Sequence, residues 1–272
     1  MSTWWINGQL REESDATIGV TDHGVTVGDG CFETTSIIDH TPFAMTRHLA
    51  RLRRSLAGLG LCCDRSDQEL IEAAQAVADA NPDHSVLRLT VTAGPGPLSS
   101  NAAHGQPTVV IGSSPGRDWP PSASVATVPW TRNERSAVAG IKSTSYAENV
   151  VALAFAQARD ASEAIFANTV GQLCEGTGSN IFVELDGQLV TPPLSSGCLA
   201  GITRQLVLER TDAAEVDLPY EILRTTSEAF LTSSTRDVMP ITRIDDRQLE
   251  IGPLSAQAAT IYKEMMAATA DP

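Results

Sequence analysis

The chain has 272 residues and a net charge of −14 at neutral pH, a length that suits one large domain or two smaller ones. The acidic balance argues against a nucleic-acid partner or an anionic membrane surface, since both need clustered positive charge. No apolar run approaches the ~20 residues that span a bilayer, and the N-terminus resembles no signal peptide. The five cysteines and five histidines lack metal-ligand spacing. We therefore expect a cytoplasmic protein with reduced thiols and no metal.

The first half of the chain alternates predicted strands with two amphipathic helices. Leucines at positions 49, 52, 56 and 59 predict a helix over residues 47–59, with arginines on the opposite face, and residues 68–80 repeat the pattern. Asn7-Gly8 is a hairpin turn signal. Strands are predicted over residues 4–6, 31–38, 85–92 and 108–112. We interpret residues 1–117 as a small α+β domain.

The second half begins after the stretch 113–122, which is dense in turn-forming residues. Strands are predicted over residues 123–128, 163–167, 180–185, 188–190 and 229–232, and helices over residues 148–159, 201–210 and 256–268. Asp186-Gly187 favours a two-residue type I′ turn between two of these strands. We interpret residues 118–272 as a larger α/β domain.

Lysine is rare in this chain, and one lysine has an unusual context. Of the 19 basic residues only Lys142 and Lys263 are lysines. Lys263 falls in the predicted terminal helix, where a solvated charge is the simple interpretation. Lys142 lies mid-chain between Ile141 and a run of small polar residues, so it is either a structural or surface lysine or a partly buried amine that attacks a carbonyl. If this protein does amine chemistry, Lys142 is the candidate.

Three other segments each permit a functional and a plain interpretation. Glu175 precedes a glycine-rich turn and could hold a cationic nitrogen, or it could be a surface residue beside an ordinary β-turn. Gly201-Ile202-Thr203 opens a predicted helix, whose free N–H groups could bind a phosphate or simply start the helix. The hydroxyl run 232–235 is either a further phosphate contact or a common turn.

Six segments occur in the order found in the class IV (fold-type IV) pyridoxal-phosphate enzymes. They are Gly28-Asp29-Gly30-Cys31-Phe32-Glu33, His48-Leu49-Ala50-Arg51-Leu52, the Lys142 segment, Glu175–Asn180, Leu199-Ala200-Gly201-Ile202-Thr203-Arg204 and residues 228–240. The chain resembles this family from about residue 4 to residue 265. The family includes branched-chain and D-amino-acid aminotransferases, (R)-amine transaminases and 4-amino-4-deoxychorismate lyases.

The resemblance implies a two-domain, D-amino-acid aminotransferase-like fold, a homodimer, and pyridoxal 5′-phosphate bound at the domain interface. Lys142 matches the Schiff-base lysine, which also moves the proton. Glu175 matches the carboxylate that keeps the pyridine nitrogen protonated, and Arg51 matches the phosphate-binding arginine. The remaining expected cofactor contacts are Ile202, Thr203, Leu206 and Ser234.

The type of reaction is inferred from positions at which this sequence differs from the patterns of the subfamilies. Phe32-Glu33 is followed by Thr34-Thr35-Ser36, without the arginine of the branched-chain enzymes, and the loop after the strand at 85–92 has no arginine up to Gly112. Residues 28–34 and 142–149 resemble aminodeoxychorismate lyases. We therefore expect a lyase that releases 4-aminobenzoate and pyruvate for folate synthesis. The alternative is a class IV aminotransferase that uses a branched-chain or D-amino acid, or an (R)-amine, with a keto acid acceptor.

The substrate in either case is a small-molecule amine, and its contacts are the least determined part of the site. An enzyme for α-amino acids needs a cation to hold the carboxylate. Arg88 and Arg132 are the candidates for that contact. Trp130 and Tyr146 are further candidates from their position near the cofactor segments, and His104 is expected in an exposed loop.

Overall fold

A computed structural model describes residues 2–102 and 105–272, so His104 lies outside the described residues. The chain divides into two units of mixed α and β structure. The first unit contains the chain up to Arg117, together with Ile141–Ser145 and Thr269–Pro272, and the second contains Asp118–Gly140 and Tyr146–Ala268. The Lys142 segment therefore belongs to the first unit, although it lies beyond residue 117 in the sequence.

The first unit is a six-stranded antiparallel sheet with two long helices. Its strands are β1 (Thr3–Ile6), β2 (Gln9–Glu12), β3 (Gly30–Ile38), β4 (Thr41–Pro42), β5 (Val86–Thr92) and β6 (Thr108–Ser114), and its helices are α1 (His23–Thr26), α2 (Met45–Gly58) and α3 (Asp67–Ala80). The strand order is β2-β1-β6-β5-β3-β4. Apolar side chains of α2 and α3 form one core with those of the sheet.

Helix α2 departs from its predicted pattern at one arginine. Leu49, Leu52 and Leu56 are buried as expected, but Arg51 is buried with them at 4% exposure instead of lying on a solvated face. The prediction that the arginines lie opposite the leucines is therefore wrong for Arg51. The physical reason is a buried carboxylate on β3, Glu33, which pairs with the guanidinium and compensates for its lost hydration.

Helix α3 begins with a complete capping box. The Ser66 hydroxyl accepts a hydrogen bond from the Glu69 N–H at 3.2 Å, and the Glu69 carboxylate accepts one from the Ser66 N–H at 2.7 Å. These two bonds satisfy N–H groups that have no partner within the helix. The sequence Ser66-Asp67-Gln68-Glu69 therefore determines where this helix begins.

The second unit is built on a nine-stranded mixed sheet. Its strands are β7 (Ala123–Arg132), β8 (Glu163–Asn168), β9 (Leu173–Gly176), β10 (Asn180–Leu185), β11 (Gln188–Thr191), β12 (Ala214–Glu215), β13 (Ala229–Ser233), β14 (Asp237–Ile244) and β15 (Arg247–Gln248). The order is β12-β11-β10-β13-β14-β7-β8-β9, with β15 on β14. The pairs β11–β12, β14–β7 and β7–β8 are parallel.

Three α-helices and several turns complete the second unit. The helices are α4 (Ala147–Gln157), α5 (Ile202–Arg210) and α6 (Pro253–Ala268). Asp186 and Gly187 both have positive φ, 52° and 81°, as the predicted type I′ turn requires. Residues 173–176 and 237–244 form strands that the sequence pattern did not indicate. Among the helices in the described parts of the chain, none is long and apolar enough to cross a membrane.

Candidate cofactor and substrate site

The Lys142 segment runs beside the start of strand β3. Cys31 forms an antiparallel bridge with Ser143, and the Phe32 N–H donates to the Lys142 carbonyl at 3.0 Å. The Thr144 N–H donates to the Gly30 carbonyl at 2.8 Å. A Cβ on Gly30 would lie 2.7 Å from the Val91 carbonyl oxygen, so a side chain here would disturb the pairing with β5. The glycine in the motif thus permits the close packing that positions Lys142.

Two cations contact the ring of Phe32. The Lys142 Nζ lies 4.3 Å from the ring centroid, and the guanidinium carbon of Arg88 lies 3.7 Å from it. Both distances are within the range of cation–π attraction. Lys142 is half-buried and Arg88 is exposed. The half-buried Lys142 and the exposed Arg88 therefore both pack against Phe32 in the first unit.

A buried cluster of Glu33, His48 and Arg51 lies on the same strand and on helix α2. The Arg51 Nε and Nη2 donate to the two Glu33 carboxylate oxygens at 2.9 and 2.6 Å, and the His48 Nδ1 lies 2.7 Å from Oε2. Burial raises the pKa of Glu33, but the Arg51 charge and the hydrogen bonds from Arg51 and His48 outweigh it and lower the pKa to about 2. Glu33 is therefore ionised and fixes one edge of the Arg51 guanidinium. The role of Arg51 as the phosphate ligand stays a prediction.

His48 is held in its neutral form within this cluster. Burial lowers its pKa, and the charges of Arg51 and Lys142 lower it further, against the opposing effect of Glu33. A neutral imidazole whose Nδ1 faces a carboxylate donates from Nδ1 and presents Nε2 as an acceptor.

In the second unit, Glu175 is fixed by two neighbours. Its carboxylate accepts a hydrogen bond from the Leu199 N–H at 2.9 Å and lies 3.3 Å from the Arg132 Nε. Arg132 also donates to Asn149 at 2.7 Å and pairs with Glu148. Glu175 thus has a determined orientation on strand β9. Arg132 is surrounded by these polar partners, so it is a weaker candidate than Arg88 for holding a substrate carboxylate.

The predicted phosphate contacts lie around the first turn of α5. The helix begins after Gly201 without a side-chain cap, and a Cβ on Gly201 would lie 2.0 Å from the Asn180 Oδ1. Asn180 pairs with Thr232 across strands β10 and β13. The hydroxyls of Thr232 and Ser233 are buried, and neither has a hydrogen-bond partner within the described residues.

Unpaired buried hydroxyls beside an uncapped helix N-terminus fit an anionic group that accepts hydrogen bonds. The phosphate of pyridoxal phosphate is such a group. Ile202 and Thr203 occupy the first turn, and Leu206 follows one turn later. All three side chains are buried. Ser234, a predicted contact, directly follows the two hydroxyls in the sequence.

The remaining predicted substrate contacts are less constrained. Trp130, on β7, is 42% exposed, and its ring packs edge to face against Phe155 with centroids 5.4 Å apart. Tyr146 is half-buried and precedes helix α4. Their proposed roles stay predictions.

The five cysteines are free thiols, and among residues 2–102 and 105–272 no group of acidic, histidine or cysteine side chains could hold a metal ion.

The sequence assigned no role to four charged residues that organise these segments, namely Glu33, His48, Glu163 and Arg236. Glu163 is fully buried, and its carboxylate lies 2.8 Å from the Arg236 Nη1. The available signal was a single charged residue at the start of strand β8, which is apolar from Ala164 to Ala167. That signal does not identify the partner, which lies 73 residues away.

Comparisons with known proteins identify the family of this chain. Residues 30–244 match the family model described as amino-transferase class IV. A D-alanine aminotransferase of Bacillus licheniformis is 31% identical over 274 residues, which cover 94% of each protein. The aminodeoxychorismate lyase of Bacillus subtilis (strain 168) is 28% identical over 96% of this chain and 93% of that protein.

A solved structure extends this similarity to the whole fold. The branched-chain aminotransferase of the archaeon Thermoproteus uzoniensis, solved with norvaline, superposes with a TM-score of 0.92. It is 29% identical, and the match covers 98% of this chain and 95% of that one. The family match covers most of the chain, so this protein belongs to the class IV aminotransferases and is a pyridoxal-phosphate-dependent enzyme.

Proposed function

We propose that this enzyme is an aminotransferase that takes the amino group of an α-amino acid and passes it to a keto acid. The observation that carries this proposal is the shared contact of Lys142 and Arg88 with the ring of Phe32. In an α-amino acid the amine and the carboxylate are separated by a single carbon. An arginine that packs on the same aromatic ring as the proposed reactive lysine is therefore a candidate to hold the carboxylate of such a substrate.

The similar proteins favour the same choice. The D-alanine aminotransferase and the archaeal branched-chain aminotransferase both carry names that describe amino transfer, and the archaeal structure contains norvaline. Norvaline is an α-amino acid with an unbranched apolar side chain. These names support an amino-acid substrate, and they do not determine its chirality.

Each proposed residue has a defined task. Pyridoxal phosphate, when bound, supplies an electron sink for the charge left when the carbon beside the substrate amine loses its proton. Lys142 would hold the cofactor through its Nζ and would also be the base that moves that proton. Glu175, oriented by the Leu199 N–H, keeps the ring nitrogen protonated. Arg51, the first turn of α5 and the hydroxyls at 232–234 hold the phosphate.

A second candidate is the aminodeoxychorismate lyase expected from the sequence. The curated lyase of Bacillus subtilis, 28% identical over nearly the full length, supports it. The lyase would use the same Lys142 to remove the proton at the amine-bearing ring carbon. It differs in that pyruvate leaves and no keto acid is consumed.

One product analysis separates the two reactions. The purified, cofactor-loaded enzyme is given L- and D-amino acids with 2-oxoglutarate or pyruvate, and in parallel aminodeoxychorismate alone. We expect amino transfer to the keto acid and no 4-aminobenzoate. Formation of 4-aminobenzoate and pyruvate without a keto acid would reject the aminotransferase and establish the lyase.

We also propose that the enzyme works as a homodimer in the cytoplasm. The dimer is an expectation from the family resemblance, and the free thiols are those expected of a protein from a reducing compartment. Sedimentation of the purified protein would test the dimer, since a monomeric mass at micromolar concentration would reject it. Fractionation of the source cells would test the location.

A further inference from the structure

The second unit contains a buried ion pair that no part of the proposed chemistry uses. Glu163 begins strand β8 with no exposed surface, and the side chain of Arg236 is 8% exposed. The Arg236 guanidinium also lies over the ring of Trp119, with its carbon 4.2 Å from the centroid. A buried pair is costly to desolvate and is weak evidence of a gain in stability. The role of this pair is therefore better judged from the two segments that it joins than from its contribution to stability.

The Glu163 carboxylate holds the turn that follows Glu175. Its Oε1 accepts a hydrogen bond from the Thr177 N–H at 3.0 Å and another from the Thr177 hydroxyl, and its Oε2 accepts one from the Ser179 hydroxyl at 3.1 Å. A Cβ on Gly176 would lie 3.1 Å from the Glu163 carboxyl carbon. The backbone after Glu175 is thus packed directly against this carboxylate.

The other partner belongs to the segment with the unpaired hydroxyls. Arg236 lies in the turn between β13 and β14, and its N–H donates to the Ser233 carbonyl at 3.3 Å. Thr232 and Ser233, whose hydroxyls have no partner in the described parts of the chain, directly precede this turn. One ion pair therefore connects the Glu175 turn with the hydroxyl segment 232–234.

We propose that Glu163 and Arg236 form a positioning pair that sets the separation between Glu175 and the hydroxyl segment. Pyridoxal phosphate is rigid around its ring, so its nitrogen and its phosphate can be held together only by protein segments at a matching separation. Neither residue of the pair is assigned a contact with the cofactor. The inference rests on the proposed cofactor roles of Glu175 and residues 232–234.

The test measures binding of two ligands to the full-length apoenzyme. Glu163→Gln and Arg236→Met are each titrated with pyridoxal phosphate, and with inorganic phosphate as a competitor. We expect the dissociation constant for pyridoxal phosphate to rise about 10–100-fold, as when an outer contact that orients a ligand-binding side chain is lost. Inorganic phosphate uses only one of the two segments, so its constant should change much less. Hydrogen exchange at the Thr177 amide should become faster in both variants.

A matched control addresses general loss of stability. Tyr220→Phe removes a 2.6 Å hydrogen bond to the Ile165 carbonyl on the same strand, β8, and has no proposed role at either segment. It should leave both dissociation constants unchanged. Melting temperatures verify folding of every variant, and Arg236→Lys replaces Arg236→Met if the latter does not fold. Lysine retains the charge but loses the planar fork, so a smaller rise in the same constant is expected.

Three results would overturn the inference. Unchanged affinity for pyridoxal phosphate in both folded variants would show that the pair positions nothing. An equal loss for both ligands in Arg236→Met, with no effect of Glu163→Gln, would make Arg236 a direct phosphate contact. The variant Glu175→Gln, measured in parallel, separates the two levels of argument. If Glu175→Gln leaves the cofactor spectrum and the affinity unchanged, the proposed cofactor site is wrong, and the inference that rests on it is wrong too. If Glu175→Gln has an effect but Glu163→Gln and Arg236→Met have none, only the proposed role of the ion pair is rejected.

Discussion

The Glu33 carboxylate should make the apoprotein sensitive to acid, and the structure indicates by how much. Its pKa falls from 4.5 to about 2 because Arg51 and His48 outweigh the effect of burial. A depression of this size corresponds to roughly 3 kcal/mol of folding stability. The contribution is fully present above pH 4.5 and is lost as the pH falls from 4.5 towards about 2.

His48 adds to the acid sensitivity at a higher pH. Burial lowers its pKa below the ordinary 6.5, so the folded state resists protonation more than the unfolded state does. Its contribution is therefore complete above pH 6.5 and declines as the pH falls below that value. The free energy of unfolding should decrease gently below pH 6.5 and more steeply below pH 4.5.

Glu33→Gln tests this account directly. At pH 7 the variant should lose about 3 kcal/mol, because the buried Arg51 charge keeps no ionised partner. The measurement is urea unfolding of the apoprotein by circular dichroism at pH 7, 5 and 3, with wild type and variant in parallel. The double variant Glu33→Gln/Arg51→Met should recover part of the loss, since it removes the uncompensated charge.

The pH dependence of the difference is the decisive result. Below pH 4.5 the unfolded chain takes up a proton at Glu33 while the folded carboxylate stays ionised until about pH 2, and the glutamine does not titrate. The stability difference at pH 3 should therefore be smaller than at pH 7 by about 2 kcal/mol. A constant difference across this range, or a loss below about 1 kcal/mol at pH 7, would refute a buried, ionised Glu33 as the source of acid sensitivity.

Three further changes test the site and the fold. Lys142→Ala should fold normally but lose both turnover and the visible absorption of the lysine-bound cofactor, and wild-type activity in this variant would refute the mechanism. Arg88→Ala should raise KM for amino acids about tenfold or more with a smaller effect on kcat, as expected for loss of a charged carboxylate contact; an unchanged KM would remove Arg88 from the site. Gly201→Ala places a Cβ 2.0 Å from the Asn180 Oδ1, so it should cost about 1–3 kcal/mol of stability and weaken pyridoxal-phosphate binding. A melting temperature and an affinity equal to those of the wild type would contradict the close packing at this turn.

Local patterns in the sequence determined many of the elements and the identity of the cofactor. Alternation and helical spacing indicated most of the long strands and helices, because these periodicities follow from backbone geometry alone. Asp186-Gly187 specified its turn, since the type I′ geometry requires positive φ at both positions. The order of six motifs indicated the family, and with it Lys142 and Glu175 as the residues on which to base the chemistry.

The tertiary structure alone decided which charges are buried and which partners they have. The spacing of α2 placed Arg51 among solvated arginines, but Glu33, 18 residues earlier, brings it into the core. Glu163 and Arg236 are separated by 73 residues and meet only because β13, β14, β7 and β8 share one sheet. The Lys142 segment belongs to the first unit because it pairs with β3, far from it in sequence. A burial pattern identifies a face of an element, but the partner of a buried charge depends on distant contacts that no local period encodes.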